Sequence, residues 1–429
     1  MPSLPPELWR AVLQELADMP GTPQKGYEPF SIEDHLDYHE PTAEMQAWKQ
    51  DLGNIALVCK TWRRVALPML YKILHIDSES GARGICEALS APVDDDDDFP
   101  GRGDFVRQIY ISMPWSPRQV TDEASQDFTV LGGHIAHIIE RCPHLSIFTY
   151  RMFPTPLILR PAFDAILASS AAGRLLKLDI GYHIYQIYWP PTLWELVLET
   201  IGHLPCLETL ILTSAINDID GSAILYTPAH AIHTPHLKTL IVPWSVYQLM
   251  LAGRTQLNMP ELQEIHIMGV SISDTTSEVL AHHPSVETDQ LNGKVVSIGV
   301  SRPRTWASDD FSDYWTFLAH FPNLRSAHLV VEVIMSGPDW PLEHPSLTCI
   351  AIVQNRDLLM ERRISPRRIV MGVEPGIEAV FAGCFPKLQK VQIAGYYAEF
   401  WKKEAERVAI WDQKLRARGV ALELCRAYL

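Results

Sequence analysis

The sequence predicts an α/β fold: a small helical unit at the N-terminus, then a long irregular array in which each unit adds one strand to a parallel sheet backed by helices. Three observations predict it. One apolar spacing recurs along most of the chain, usually two residues after a proline. Stretches with helical spacing separate many of its copies. The first 76 residues follow a different pattern, two apolar helical stretches on either side of a polar segment.

The N-terminal elements come first. Pro5 and Pro6 suit the first turn of a helix, where a missing N–H removes nothing the helix would use. Leu8, Val12, Leu13 and Leu16 then share one helical face, and Pro20, Gly21 and Pro23 end it. Residues 18–50 carry seven Asp or Glu against Lys25 and Lys49, with Pro29 and Pro41 among them, which predicts a long polar loop. Helical spacing resumes at Leu52, Ile55, Ala56 and Cys59 and continues through Trp62 and Val65, with Pro68 as its expected stop. Tyr71–Ile76 is a first strand.

Two segments of this unit resemble an F-box: Leu4-Pro5-Pro6-Glu7-Leu8-Trp9, and Val58-Cys59-Lys60-Thr61-Trp62-Arg63-Arg64. They occur in the order the F-box has them, a Leu-Pro helix followed by a helix carrying a Val-Cys-Lys-x-Trp stretch. The resemblance is nearest to the F-box-like proteins of mushroom-forming fungi, in which an acidic insertion often parts the first two helices; residues 18–50 would be that insertion. It implies docking onto the Skp adaptor of a cullin-RING ubiquitin ligase. Leu4, Pro5 and Leu8 would enter the adaptor groove from the first helix, and Val58, Cys59 and Trp62 match the second stretch. Trp62 suits an anchor because an aromatic side chain buries a large area with few rotamers.

From residue 106 onward the apolar spacing takes over. Clear copies are Leu207, Leu210 and Leu212 after Pro205, then Leu237, Leu240 and Val242 after Pro235. Others are Leu262, Ile265 and Ile267 after Pro260, Leu347, Ile350 and Ile352 after Pro345, and Leu388, Val391 and Ile393 after Pro386. Looser copies start at Val106, Leu145, Leu175 and Leu324, and one more lies near Val286 or Val295. With Leu, Ile and Val filling about a quarter of the chain, ~0.5 of its 32 prolines would head such a pattern by chance, so five copies are a real excess. Helical spacing lies over Ile135–Cys142, Leu193–Leu204, Tyr314–Phe321 and Ile377–Phe385. The pattern resembles leucine-rich repeats, which implies a solenoid with a parallel sheet and outer helices. A generic α/β domain is the alternative, since strand–helix alternation alone produces it too. A last helix, Tyr397 through Trp401, Val408, Trp411 and Leu415, would cap the array, and Gly419 leads into a final strand at Val420, Leu422 and Leu424. The domains expected are therefore 1–76, F-box-like with the insertion at 18–50, and 77–429, the repeat body with its helical cap.

Bulk properties narrow the function. The chain has 429 residues and a net charge of −15, a surface that repels phosphate backbones and disfavours nucleic acid as a partner. Seven cysteines without a C-x-x-C pair point to reduced thiols, in cytoplasm or nucleus. The N-terminus lacks a signal-peptide pattern, and no apolar run is long enough for a membrane span. No nucleophile elbow, zincin, Walker or dinucleotide motif is present, so neither an enzyme nor a cofactor is expected. His134 and His137, and the series His230, His233 and His236, step by three around a helix or turn and offer no convergent metal set. Asp94–Asp98 lacks the spacing of a calcium loop and is expected to be solvated. Arg362, Arg363, Arg367 and Arg368 around Ser365-Pro366 form the one basic cluster in an acidic chain: a solvated loop first, otherwise a docking point for an acidic or phosphorylated segment, a nuclear signal or a phosphosite.

These features together predict a non-enzymatic substrate receptor, the helical unit holding the adaptor and the repeats holding an unidentified protein target. The alternative is a repeat scaffold whose helical unit never binds the adaptor.

Overall fold

The computed structural model describes residues 43–91, 101–113, 122–152, 155–181, 191–212, 231–243, 256–270, 291–300, 320–330, 344–353, 385–395 and 404–426, with isolated positions such as 246, 247, 318 and 377. The fold is α/β, with parallel sheet throughout its strand ladder. The described residues fall into two compact units, one drawn from Asp37–Lys238 with Gln256–Glu261, the other from Thr239–Thr255 with Leu262–Leu429.

The first unit opens with α1, Ala43–Val58, and α2, Lys60–Lys72. Residues 43–50 therefore belong to a helix and not to the polar loop expected there. Ala43, Glu44, Met45, Gln46 and Ala47 are strong helix formers, and propensity outweighs the acidic composition. The break between the helices is one residue, Cys59, held extended at φ −164° and ψ 167°. Pro68 sits inside α2 and does not end it. Strand β1, Ile73–Ile76, follows without a loop.

The unit continues through α3 (Glu79–Ser90), β2 (Gln108–Ile111), α4 (Asp122–Glu140), β3 (Ile147–Tyr150), α5 (Pro156–Ala168), β4 (Lys177–Ile180), α6 (Pro191–Ile201) and β5 (Thr209–Leu212). Two of these helices were not predicted. The start of α3 is set by Ser78, whose Oγ accepts from the Gly81 N–H at 3.1 Å, and Ala82, Cys86 and Leu89 form its buried stripe. Helix α5 begins at a Thr155 cap followed by Pro156 and buries a wide face, Ile158, Leu159, Ala162, Phe163, Ala165 and Ile166, opposite the exposed Leu157, Arg160 and Asp164. Pro161 sits inside it, where proline ordinarily ends a helix.

Strands β1 to β5 pair in parallel in chain order. A doubly wound sheet would reverse its strand order at a switch point, and this one does not. Alternate residues stack into two core rows, Leu74–Ile109–Phe148–Leu178–Leu210 and Ile76–Ile111–Tyr150–Ile180–Leu212, all buried. A small parallel pair, β6 (Ala231–His233) with β8 (Gln256–Asn258), completes the unit and has no counterpart in the apolar spacing.

In the second unit β7 (Thr239–Pro243), β9 (Glu264–Val270), β10 (Val295–Val300), β11 (Ser326–Val330), β12 (Cys349–Val353), β13 (Lys390–Gly395) and β14 (Ala421–Arg426) again pair in parallel in chain order. The ambiguous copy resolves to Val295. Helix α7, Ala405–Arg416, buries Trp411 and Leu415, and Gly419 at φ +75° turns the chain into β14. Its predicted first turns, 397–403, lie outside the described residues.

The proline that precedes several copies has a structural task. Leu145, Leu207, Leu237, Leu324 and Leu388 each donate their N–H to the carbonyl three residues back, at 3.0–3.3 Å. Proline occupies the second position of these turns, where its fixed φ fits and its missing N–H is not needed. The residue before the proline is buried in each of these: Cys142, Leu204, Thr234, Phe321 and Phe385. Pro143 and Pro322 thus mark full copies whose later apolar positions are Phe148, Tyr150 and Ala327, residues that a search for Leu, Ile and Val passes over.

Candidate functional site

The hairpin α1–α2 carries three of the six residues expected to meet the adaptor. Val58 closes α1 with 62% of its surface exposed, beside Leu57 at 84%, and Cys59 is exposed at the break. Trp62, on the first turn of α2, is half-buried. Two aliphatic side chains this open on adjacent positions are a conspicuous departure from a helix that buries its apolar residues. Leu4, Pro5 and Leu8 lie outside the described residues, as do Arg362, Arg363, Arg367 and Arg368, Asp94–Asp98 and His230.

The second feature is the sheet face opposite the core in the first unit. Its rows are Ile73–Gln108–Ile147–Lys177–Thr209 and His75–Tyr110–Thr149–Asp179–Ile211. Gln108, Ser112, Thr149, Lys177, Asp179 and Thr209 on this face are all buried. Arg151 donates to Asp179 Oδ2 at 2.7 Å, an ion pair with side chains 9% and 3% exposed. His75 stacks on Tyr110 with ring centroids 5.2 Å apart. Sequence spacing located the core rows and passed over this face, because its polar residues alternate with the apolar ones that were being sought.

The equivalent face of the second unit carries a hydrogen-bonded run. His266 Nδ1 and Ser297 Oγ share a bond of 2.6 Å across the β9–β10 register. Glu264 Oε2 lies 3.8 Å from His266 Nε2, and Arg325 stands 3.5 Å from Glu264 Oε1. Further along, Cys349 donates to Gln392 Oε1, and Gln392 Nε2 and Lys390 both reach Glu423 Oε2, at 3.0 and 3.4 Å. Hydroxyl, imidazole and carboxylate in this order serve nucleophilic catalysis when the hydroxyl can meet a substrate. Ser297 is 1% exposed, so its hydroxyl meets no substrate and instead holds the buried His266 ring.

Burial holds His266 below the usual imidazole range, and burial does the same to His344, whose Nε2 faces the Leu318 carbonyl at 3.3 Å. The side chain of His266 beside it holds Glu264 below the usual carboxylate range. Both histidines take up a proton more readily unfolded than folded, so stability is complete above about pH 6.5 and declines as pH falls below it toward their folded values. Glu264 adds a further loss at pH below its unfolded value of 4.5. Thermal unfolding is therefore expected to shift to lower temperature between pH 7.5 and 5.5, and His266→Gln should flatten that slope. A profile with no slope there in the parent protein would contradict the burial of both imidazoles as neutral rings.

The described histidines of the two series have separate partners. His233 pairs with Asn258 Nδ2 at 2.9 Å, His236 with Glu261 at 3.2 Å, and His137 with Glu140 and Ser90. Among the described residues no group of three His, Cys, Asp or Glu is placed to hold a metal ion, and the described cysteines are free thiols. No described helix is long and apolar enough to cross a membrane. Burial raises the Cys142 thiol to about 12 and also raises Cys86.

No family model matches this sequence, and no curated protein matches it. Among solved structures, a structural-genomics target protein from Bacteroides fragilis aligns over 90% of this chain and 84% of its own, with 10% identity and a TM-score of 0.30.

Proposed function

We propose that the protein is a substrate-recognition subunit of a Skp–cullin–F-box ubiquitin ligase, catalysing nothing itself and holding its target on a leucine-rich-repeat solenoid. The observation that carries the adaptor half is the exposed Leu57–Val58 pair beside Cys59 and the half-buried Trp62, on the stretch that resembles the F-box. Exposed aliphatics on a helical hairpin suit insertion between adaptor helices, where desolvation of apolar surface drives association. The target half is supported by parallel strands in unbroken chain order and by a proline turn ahead of many of them. The ligase role is one of effective concentration: one end fixed to the adaptor, the other holding the protein to be modified.

Co-expression of the full chain with the Skp adaptor tests this directly. Co-purification through size exclusion is the expected result, and separate elution would leave a repeat scaffold without ligase association. Targets are expected on the repeat body. Replacing Arg362, Arg363, Arg367 and Arg368 together with Ser should slow target association, most at low salt, and leave adaptor binding unchanged. Loss of the adaptor with targets retained would invert this division of labour.

A further inference from the structure

We propose that β14 pairs edge to edge with β14 of a second copy of this chain, antiparallel, with Leu424 of one copy opposite Leu424 of the other. The proposal goes beyond the ligase role and does not rest on it.

The first observation is a strand edge without the usual protection. Strand β14, Ala421–Arg426, ends the ladder and among the described residues has one neighbour, β13. Edge strands are ordinarily blunted by shortening, by a bulge, or by proline or lysine, because their open backbone groups accept any strand that reaches them. Here β14 is as long as β13, keeps an unbroken register with it over all six residues, and contains neither proline nor lysine. Its one acid, Glu423, is held back toward β13 by Gln392 and Lys390, at 3.0 and 3.4 Å. The Ala421 N–H donates to the Gln389 carbonyl, so Ala421, Glu423 and Cys425 turn their backbone groups toward β13. Leu422, Leu424 and Arg426 turn theirs outward.

The second observation is an apolar side chain left open at the same place. Leu424 stands beside Ile393 in the register and continues its row, yet Ile393 is 1% exposed and Leu424 is 42% exposed. Leu422 stands beside the buried Val391 and is itself half-buried. The core row therefore runs out into solvent at the residues whose backbone groups also face out.

A second β14 answers both needs, and the residues select its register. In an antiparallel pair, hydrogen-bonded partners must both face across, so only 422, 424 and 426 can be matched with one another. This keeps the leucines of both copies on one face, continuing the core row. Matching Leu422 with Leu424 sets Glu423 directly against Glu423, which like charges disfavour. Matching Leu424 with Leu424 puts Leu422 across from Arg426 and Glu423 across from Cys425, and engages all three outward residues. The remaining matches overlap less. The pair is two-fold, so it consumes both edges and closes. Head-to-tail growth through β1 has no apolar surface to gain, since Leu74 and Ile76 are already 5% and 0% exposed.

The test is sedimentation velocity of the full chain over a dilution series, with hydrogen exchange of residues 421–426 read at the same concentrations. A monomer–dimer equilibrium is expected, with exchange slowing as the dimer forms. Leu424→Pro should weaken the dimer at least tenfold and leave the melting temperature near that of the parent, because the N–H it removes points away from β13. Leu424→Lys and Leu424→Glu should each weaken it as much, by placing like charges opposite one another. Their equimolar mixture should associate at least tenfold more tightly than either alone, a result that stands even where the proline variant fails to fold. Self-association unmoved by the Leu424 variants, or a mixture no tighter than its components, would overturn the assignment. So would a parent that stays monomeric to about 100 μM: with residues 421–426 already slow to exchange, the edge belongs to another segment of this chain, and with them fast, to a foreign strand.

Discussion

Replacing Gly103 with Ala is expected to destabilise the first unit by roughly 2–3 kcal/mol, the upper part of the range for forcing extra volume into packed structure. Gly103 lies in a buried single turn, Arg102–Phe105, wedged against the end of α4. A Cβ added there would overlap the Arg141 carbonyl, a backbone group that cannot rotate away. The same turn is anchored on its other side, where Arg102 donates to the Ala88 carbonyl at 2.6 Å, so it has little room to retreat. Gly132 is in the same position between α4 and α5, its site closed by the Leu157 carbonyl. Gly133 next to it is exposed with nothing within 4 Å of an added Cβ, and Gly133→Ala should stabilise by roughly 0.5–1 kcal/mol through helix propensity. Thermal melts of Gly103→Ala, Gly132→Ala and Gly133→Ala should therefore move in opposite directions, the first two down and the third up. A melting temperature for Gly103→Ala equal to that of the parent would show that the turn does not sit as described.

Trp62→Ala is expected to cost the adaptor complex ~2 kcal/mol or more, roughly 30-fold in affinity, as loss of an interface aromatic anchor does. Leu8→Asp should do the same. Trp62 is half-buried, so part of its loss can fall on the hairpin itself. Val58→Asp separates the two effects. Its side chain is 62% exposed, so the substitution should change folding stability by no more than about 0.5 kcal/mol while placing a charge in the apolar contact. Circular dichroism melts report on the fold and pull-down with the adaptor reports on the interface. Full adaptor retention by both Val58→Asp and Trp62→Ala would remove the basis for the F-box resemblance.

Most of the sheet was legible in the chain because each strand buries alternate residues between the same two layers. A period of two, often at fixed distance from a proline turn, survives in sequence even where the helices between copies vary in length; every strand from β2 to β5 and from β9 to β13, with β7, falls on a predicted copy, and β14 falls on the predicted final strand. Helices are less even. Spacing marks α4, α6 and α7 in the chain, whereas α5 carries Pro161 in its interior, a residue that ordinarily ends a helix. Composition misled at residues 43–50, where acidic content suggested loop and local helix propensity prevailed.

What the sequence determined by itself was the α/β class and the run of short parallel strands, both of which rest on local patterns. Only the tertiary structure decided what shares the polar face of the first sheet. Gln108, Thr149 and Lys177 are separated by roughly thirty to forty residues of chain, yet register places them on neighbouring strands. No local period encodes that meeting, because it depends on the lengths of the helices that intervene and on the layer each strand joins. The same holds for His266 and Ser297, which the β9–β10 register brings to 2.6 Å across thirty-one positions of sequence.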